Sequence, residues 1–293
     1  MKRTLIVQAP AKINVGLWVK GKRADGYHEL ASLMQTIALS DTIAIRETRE
    51  DGLRTECNHP DVPTGPANLV HKAATLLLQR LGIAPRLLIQ IEKRIPVAAG
   101  LAGGSTDAAA VMLALTRFYD SALPLVELME MSQSIGSDVP FVMHGGLALA
   151  TGRGENLSFY EAPKPPYVVV IAIPKNVQVS TKWAYENYQP GDNTRKEELF
   201  KTLLPAYRER NIPLLRKNLF NDLESVTLHR HPEVARIKET LAASGTGAVL
   251  MSGSGPSVFG LFDDRRDAFA AVSALDPETV DVFVEHTQRL QPR

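Results

Sequence analysis

The sequence of 293 residues contains a single cysteine, Cys57, so it can form neither an internal disulfide nor a cysteine-based structural zinc site. It also has almost no net charge: 33 Lys and Arg against 32 Asp and Glu leave +1. That excludes a nucleic-acid binder working through a broad basic face, and leaves room for a small, locally charged substrate site. Long apolar runs are missing too. The longest, about Tyr167 to Pro174, falls far short of the roughly 20 residues a membrane helix needs. The start is basic, but its apolar stretch stops after Leu5, Ile6 and Val7, which is too short for a secretory signal. A soluble cytoplasmic protein without a nucleic-acid or membrane partner is expected. With 44% hydrophobic and 22% charged residues, the chain can bury a substantial core.

What is present is an irregular mixture of strand and helix signals. Ile13, Val15, Leu17 and Val19 alternate with Asn14, Gly16, Trp18 and Lys20, the period of a half-buried strand. Asp25-Gly26 marks a turn, residues 29–38 read equally as strand or helix, and 42–47 alternate again. From Asn68, apolar residues recur at helical spacing up to the stop signal Gly82. Leu87, Ile89 and Ile91 predict a strand ending at Pro96. An alanine-rich helix follows from Ser105 to Tyr119, opened by Ser105, Thr106 and Asp107. Further helices are expected over 124–134 and within 181–243, and strands over 147–151, 168–173, 247–252, 257–262 and 281–284. Residues 161–166 hold three prolines in six positions, the best linker in the chain. The expected fold class is α+β in two domains, 1–160 and 161–293.

Pro96, Val97, Ala98, Ala99, Gly100, Leu101, Ala102, Gly103, Gly104, Ser105 and Thr106 join the predicted strand to the predicted helix. Small residues let backbone approach an anion closely, and a helix start supplies unpaired N–H donors with the positive end of its dipole. A phosphate cradle and a plain tight connection both fit this segment. Without a Lys-Ser/Thr ending it is not a Walker-type loop, and without Gly-x-Gly-x-x-Gly it is not a dinucleotide fingerprint. Three other segments are ambiguous singly. Lys12 opens the first strand, where a lysine is commonly a solvated edge residue. Asp138, within 136–140, suits a turn or a cap. The Gly/Ser segment 252–257 suits a hairpin. His229-x-His231 lacks an acidic partner at ligand spacing, Cys57 shows no nucleophile signature, and Arg208–Arg210 and Arg265–Arg266 read as solvated faces.

Jointly, the stretches Pro10–Leu30, Ile95–Ala110, Gly136–Val142, Asn221–Glu224 and Ser252–Phe259 are more specific. With them the sequence resembles the galactokinase, homoserine kinase, mevalonate kinase and phosphomevalonate kinase superfamily over nearly its whole length. Arg23-Ala24-Asp25-Gly26-Tyr27-His28 is similar to the signature of one branch. That branch phosphorylates a cytidine-diphosphate-linked methylerythritol in the non-mevalonate isoprenoid route. Ala98, Ala99 and Ala102 replace glycines of some relatives, small for small.

The resemblance implies a two-domain kinase fold with its active site in the inter-domain cleft, and ATP and Mg²⁺ as cofactors. It implies Asp138 as general base toward the substrate 2-hydroxyl and Lys12 as its electrostatic partner. Residues 96–106 would hold the ATP phosphates, with the Ser105 and Thr106 hydroxyls toward phosphate or Mg²⁺, no dedicated metal cage, and Asn68 near the nucleotide. Tyr27 and His28 would read cytosine, Asn14 would touch the erythritol, and Ser180, Thr181 and Tyr185 would complete the pocket. The segment 252–257 would pack against the phosphate loop. Monomer and homodimer remain equally open. Two other readings stay on the table: a different kinase of the superfamily, against which Tyr27-His28 speaks, and a silent nucleotide-binding regulator, against which Lys12 and Asp138 speak.

Overall fold

The computed structural model describes residues 3–24, 26–191 and 196–288. The chain forms two compact units that interleave in sequence. One comprises Met1–Ala11, Leu39–Val97 and Ala102–His144; the other comprises Lys12–Ala38, Ala98–Leu101 and Gly145–Arg293. Two long paired strands, β1 (Thr4–Lys22) and β2 (His28–Glu47), contribute residues to each unit, so no single cut in the chain divides them.

In the first unit, β4 (Arg86–Glu92) buries Leu87, Ile89 and Ile91 and turns its other side chains outward, as their period predicts. Ile89 lies opposite Ile45 and Ile91 opposite Ile43 of β2, while β3 (Gly52–Cys57) adds in parallel on the other side. Helices α1 (Leu69–Leu81), α2 (Gly103–Phe118), α3 (Leu125–Ser132) and α4 (Val139–His144) complete the unit. The alanines of α2 leave its surface shallow, so it packs closely against both α1 and α4. The Asn68 carboxamide caps α1 by accepting from Val70 N–H at 2.7 Å. Gly82, at φ 67°, ends that helix in the left-handed conformation.

In the second unit, the first part of β2 pairs with β5 (Leu147–Gly152), which pairs with β6 (Asn156–Tyr160), both antiparallel. A separate antiparallel sheet has the order β10-β7-β9-β8, where β7 is Val168–Pro174, β8 Ala248–Met251, β9 Val258–Phe262 and β10 Val280–His286. Every residue of β7 is buried, which explains its unbroken apolar run. Helices α9 (Pro232–Ala243) and α10 (Arg265–Val272) pack on this sheet. Helices α5 (Thr181–Asn187), α6 (Lys196–Arg208), α7 (Ile212–Asn218) and α8 (Glu224–Arg230) connect β7 to α9.

Several expectations are corrected. Residues 29–38 are strand, and burial of every residue from Ala31 to Ile37 removes the alternation that would have revealed it. The alanine-rich helix starts at Gly103, before Ser105, and its cap position is Ala102 at φ 59° with no side-chain cap. Strands β3 and β6 and helices α4 and α10 (Arg265–Val272) fall where the sequence predicts no element. The proline-rich stretch 161–166 is irregular as expected, but both flanking strands belong to the second unit. Arg210 is not a solvated residue. Its guanidinium donates to the Pro165 carbonyl at 2.7 Å and to Asp263 Oδ1 at 2.6 Å, and lies 4.7 Å from the Tyr167 ring centroid.

Candidate active site

The glycine-rich segment leaves β4 through three left-handed residues, Ala98 (φ 54°), Gly100 (φ 76°) and Ala102 (φ 59°). Alternating handedness swings successive N–H groups toward one side, the geometry of a backbone anion nest. For an alanine the left-handed conformation costs about 1 kcal/mol or more, so surrounding contacts must hold it. They do. Lys12 N–H donates to the Leu101 carbonyl (3.2 Å), Ser257 N–H to the Ala99 carbonyl (3.3 Å), and the Ser252 hydroxyl to the Gly100 carbonyl (3.0 Å). A side chain at Gly100 would stand 2.3 Å from the Ser252 carbonyl oxygen, so glycine is required there. The 252–257 segment therefore packs on this loop as expected. The segment ends at the first turn of α2, where Gly103, Gly104 and Ser105 present N–H groups with no preceding helical carbonyl.

The two hydroxyls at that turn differ. Thr106 is buried and donates to the Pro10 carbonyl at 2.5 Å, tying α2 to β1. Ser105 is only partly covered, and its Oγ lies 3.7 Å from where a Cβ on Gly136 would stand. The segment carrying Asp138 thus runs beside the first turn of α2. Asp138 itself is half-buried, directly precedes α4, and accepts Val142 N–H on its carbonyl at 3.1 Å. Asn68 is buried; besides capping α1 it donates to the Pro63 carbonyl at 2.7 Å, which occupies both ends of its carboxamide.

Lys12 is not an exposed edge residue. It is 4% exposed, and its ammonium donates to Asn14 Oδ1 at 2.6 Å. Asn14 Nδ2 donates to the Ser32 hydroxyl at 2.7 Å, which donates to the Gly16 carbonyl at 2.9 Å, and Asn14 N–H donates to Ser252 Oγ at 3.2 Å. A buried ammonium fixed by a hydrogen bond to a carboxamide oxygen places a cation at a defined position.

In the second unit, the His28 and Tyr185 rings lie 5.3 Å apart, tilted by 33°. Burial, aided by the Lys22 charge, lowers the His28 pKa and favours the neutral ring, which carries one donor and one acceptor. Tyr27 is exposed, with the Arg153 guanidinium 4.9 Å from its ring centroid. Asp25 lies outside the described residues. The Ser180 hydroxyl caps α5 by accepting Trp183 N–H, and the Thr181 hydroxyl lies 3.1 Å from that of Ser254.

Sequence reasoning missed a buried charge cluster in the first unit. The Lys93 ammonium bonds Asp41 and, at 2.8 Å, Asp107 Oδ2 on α2. Asp41 Oδ1 accepts N–H of Arg94 (2.6 Å) and Ile95 (2.8 Å). The Lys93 nitrogen is 3.1 Å from where a Gly103 Cβ would stand, directly under the first turn of α2. Asp107 Oδ1 has no partner. Burial pushes the Asp107 carboxyl up to about 7; Lys93 opposes the rise and Asp41 adds to it. Burial works against the Lys93 charge, yet the two carboxylates outweigh it and raise its pKa. Only Asp107 within the Ile95–Ala110 stretch signals this cluster in the sequence. Burial raises the Cys57 thiol pKa, consistent with its lack of nucleophile character. Among the described residues, no three His, Cys, Asp or Glu side chains form a metal-holding group.

Residues 68–146 match the GHMP kinases N terminal domain and residues 203–281 the GHMP kinases C terminal domain. The 4-diphosphocytidyl-2-C-methyl-D-erythritol kinase of Acetivibrio thermocellus is 40% identical over 284 residues, covering 97% of this chain and 99% of that protein. A crystal structure of a 4-(cytidine 5'-diphospho)-2C-methyl-D-erythritol kinase superposes with a TM-score of 0.80 at 34% identity, covering 97% of this chain and 99% of that one. A homoserine kinase from Cytophaga hutchinsonii shares the fold, with a TM-score of 0.79 at 20% identity over 99% of this chain and 96% of that one. The fold is therefore common to several small-molecule kinases, whereas identity over the full length distinguishes among them. The chain is a small-molecule kinase of the GHMP type and belongs to the 4-diphosphocytidyl-2-C-methyl-D-erythritol kinase family.

Proposed function

We propose that this kinase transfers the γ-phosphoryl group of ATP to the 2-hydroxyl of 4-CDP-2-C-methyl-D-erythritol, in the non-mevalonate isoprenoid route. The observation that carries this reading is the Lys12 ammonium, 4% exposed and fixed at 2.6 Å on Asn14, in the same unit as the His28–Tyr185 ring pair. Asp138 takes the proton of the attacking hydroxyl, because a tertiary alcohol is a poor nucleophile without a positioned base. Lys12 supplies positive charge to the attacking oxygen. Backbone N–H groups of 98–105 and the N-terminal end of α2 bind the phosphates and meet charge developing on the transferred group. Neutral His28 hydrogen-bonds the cytosine edge, and Tyr27 and Tyr185 offer it ring faces. Asn14 touches the erythritol, while Ser180 and Thr181 close that side of the pocket. Asn68 fixes the start of α1 beside the nucleotide. Residues 96–106 serve the nucleotide, and Ser180, Thr181 and Tyr185 join Asn14, Tyr27 and His28 on the substrate side, in a soluble cytoplasmic enzyme.

The donor set suits Mg²⁺ brought in on the nucleotide. The partly covered Ser105 hydroxyl would offer one protein oxygen to an ion that commonly binds through few protein ligands. When bound, the ion neutralises phosphate charge; no resident cage is needed. The test is ADP release with 4-CDP-2-C-methyl-D-erythritol, homoserine and mevalonate as acceptors. Release with the cytidine compound alone is expected. Release with homoserine or mevalonate in its place would assign another kinase of the superfamily, and ATP binding without turnover on any of them a regulator.

A further inference from the structure

The segment Phe220–Glu224, which leads from α7 into the first residue of α8, has no part in the chemistry above, yet it is bonded to two segments that do. On one side it is laid along β1. Leu17 N–H donates to the Phe220 carbonyl (3.0 Å), Asp222 N–H donates to the Leu17 carbonyl (3.0 Å), and Val19 N–H donates to Asp222 Oδ2 (2.8 Å). On the other side it grips the Gly/Ser loop after β8. Asn221 Nδ2 donates to the carbonyls of Met251 (2.8 Å) and Gly253 (2.7 Å), and Glu224 Oε1 accepts Met251 N–H (3.0 Å). Asn221 is buried, and its Oδ1 accepts Leu223 N–H at 3.0 Å. The carboxamide is thus used at both ends, and only an amide satisfies all three partners.

The gripped loop is the one that meets the site. Between Met251 and Gly253, the Ser252 hydroxyl donates to Gly100 in the phosphate loop and accepts Asn14 N–H, while the Asn14 side chain accepts from Lys12. We propose that Asn221 is a positioning residue for phosphoryl transfer: by holding residues 251–253 it sets Ser252 against Gly100 and Asn14, and so fixes both the phosphate loop and the Lys12 ammonium. This rests on the catalytic reading of Lys12.

Asn221→Asp keeps the volume and the acceptor for Leu223 but turns a double donor into an anion facing two carbonyls; Asn221→Ala removes the grip without adding charge. Misplacement of reacting groups by about 1 Å costs on the order of 100-fold in rate, so either variant should lose about 10- to 100-fold in kcat, measured well below its unfolding temperature. Three controls separate positioning from general loosening. In a Ser252→Ala background, Asn221→Ala should cost little more, because both act through one contact. In a Lys12→Met background, it should lose only the part that passes through the phosphate loop, seen as a change in ATP KM. Lys12→Met alone tests the underlying reading: full kcat there overturns the role of Lys12 and not the hydrogen-bond route. Lower thermal stability with unchanged kcat in the Asn221 variants, or fully additive losses with Ser252→Ala, overturns the proposal. Should both Asn221 variants fail to fold, unchanged kcat in Ser252→Ala alone overturns it as well, and a fall in kcat supports it.

Discussion

Asp107 and Lys12 are both buried charged residues, and their surroundings give them opposite fates. The Lys12 ammonium donates to the Asn14 carboxamide oxygen at 2.6 Å. Asp107 shares one ammonium with a better-satisfied carboxylate and leaves an oxygen unpartnered, so its burial favours the proton. Between the ordinary aspartate pKa of 3.8 and about 7, the native protein holds a proton on Asp107 that the unfolded chain has released. Stability from this group therefore falls as pH rises through that window and levels off above it. Asp107→Asn removes the titration. Thermal melts from about pH 5 to about pH 8 should show the wild type losing more stability than the variant; parallel curves would mean the carboxyl is ionised throughout. Catalysis gives the second prediction at this scale. Asp138→Asn and Lys12→Met should each lower kcat by about 10²–10⁴ while ADP binding persists. Unchanged turnover in Asp138→Asn would remove it from the mechanism.

At the scale of elements, patterns that depend on one exposed and one buried face were readable in the sequence. β4 was found by its period of two, and α1 by its Asn68 and Gly82 boundaries. β2 was ambiguous because its middle is buried on both faces. β3 and β6 were missed because each pairs on one side only and buries few residues, so neither carries a strong apolar signal. The start of α2 was misplaced because left-handed alanines, unlike glycines, do not advertise a turn. The site divides along the same line. The glycine-rich loop could be read from local sequence, whereas Asp41, Lys93 and Asp107 come together from separate segments and each looks like an ordinary surface charge. Asn68 yields a prediction for α1. Asn68→Ala removes the cap and should cost about 1 kcal/mol in urea unfolding, and Asn68→Asp, which keeps the accepting oxygen, should recover most of it. Equal losses in the two variants would place the contribution in the Pro63 contact instead.

For the whole molecule, the near balance of charge acquires a meaning. The proposed substrates are polyanions, yet the chain carries only +1, and residues 96–106 contain no charged side chain. Anion binding is assigned to backbone N–H groups, a helix terminus and one buried ammonium, all acting over hydrogen-bond distances. A field of that kind does not steer ligands from afar, because a net charge this small leaves little for salt to screen beyond a Debye length of about 10 Å at 0.1 M. Raising ionic strength from about 20 mM to about 200 mM with a non-coordinating salt, at fixed free Mg²⁺, should therefore change kcat/KM for either substrate by less than about threefold. A fall of tenfold or more would reveal a concentrated positive surface around the site that the balanced composition conceals, and would shift phosphate recognition from the backbone toward side-chain cations.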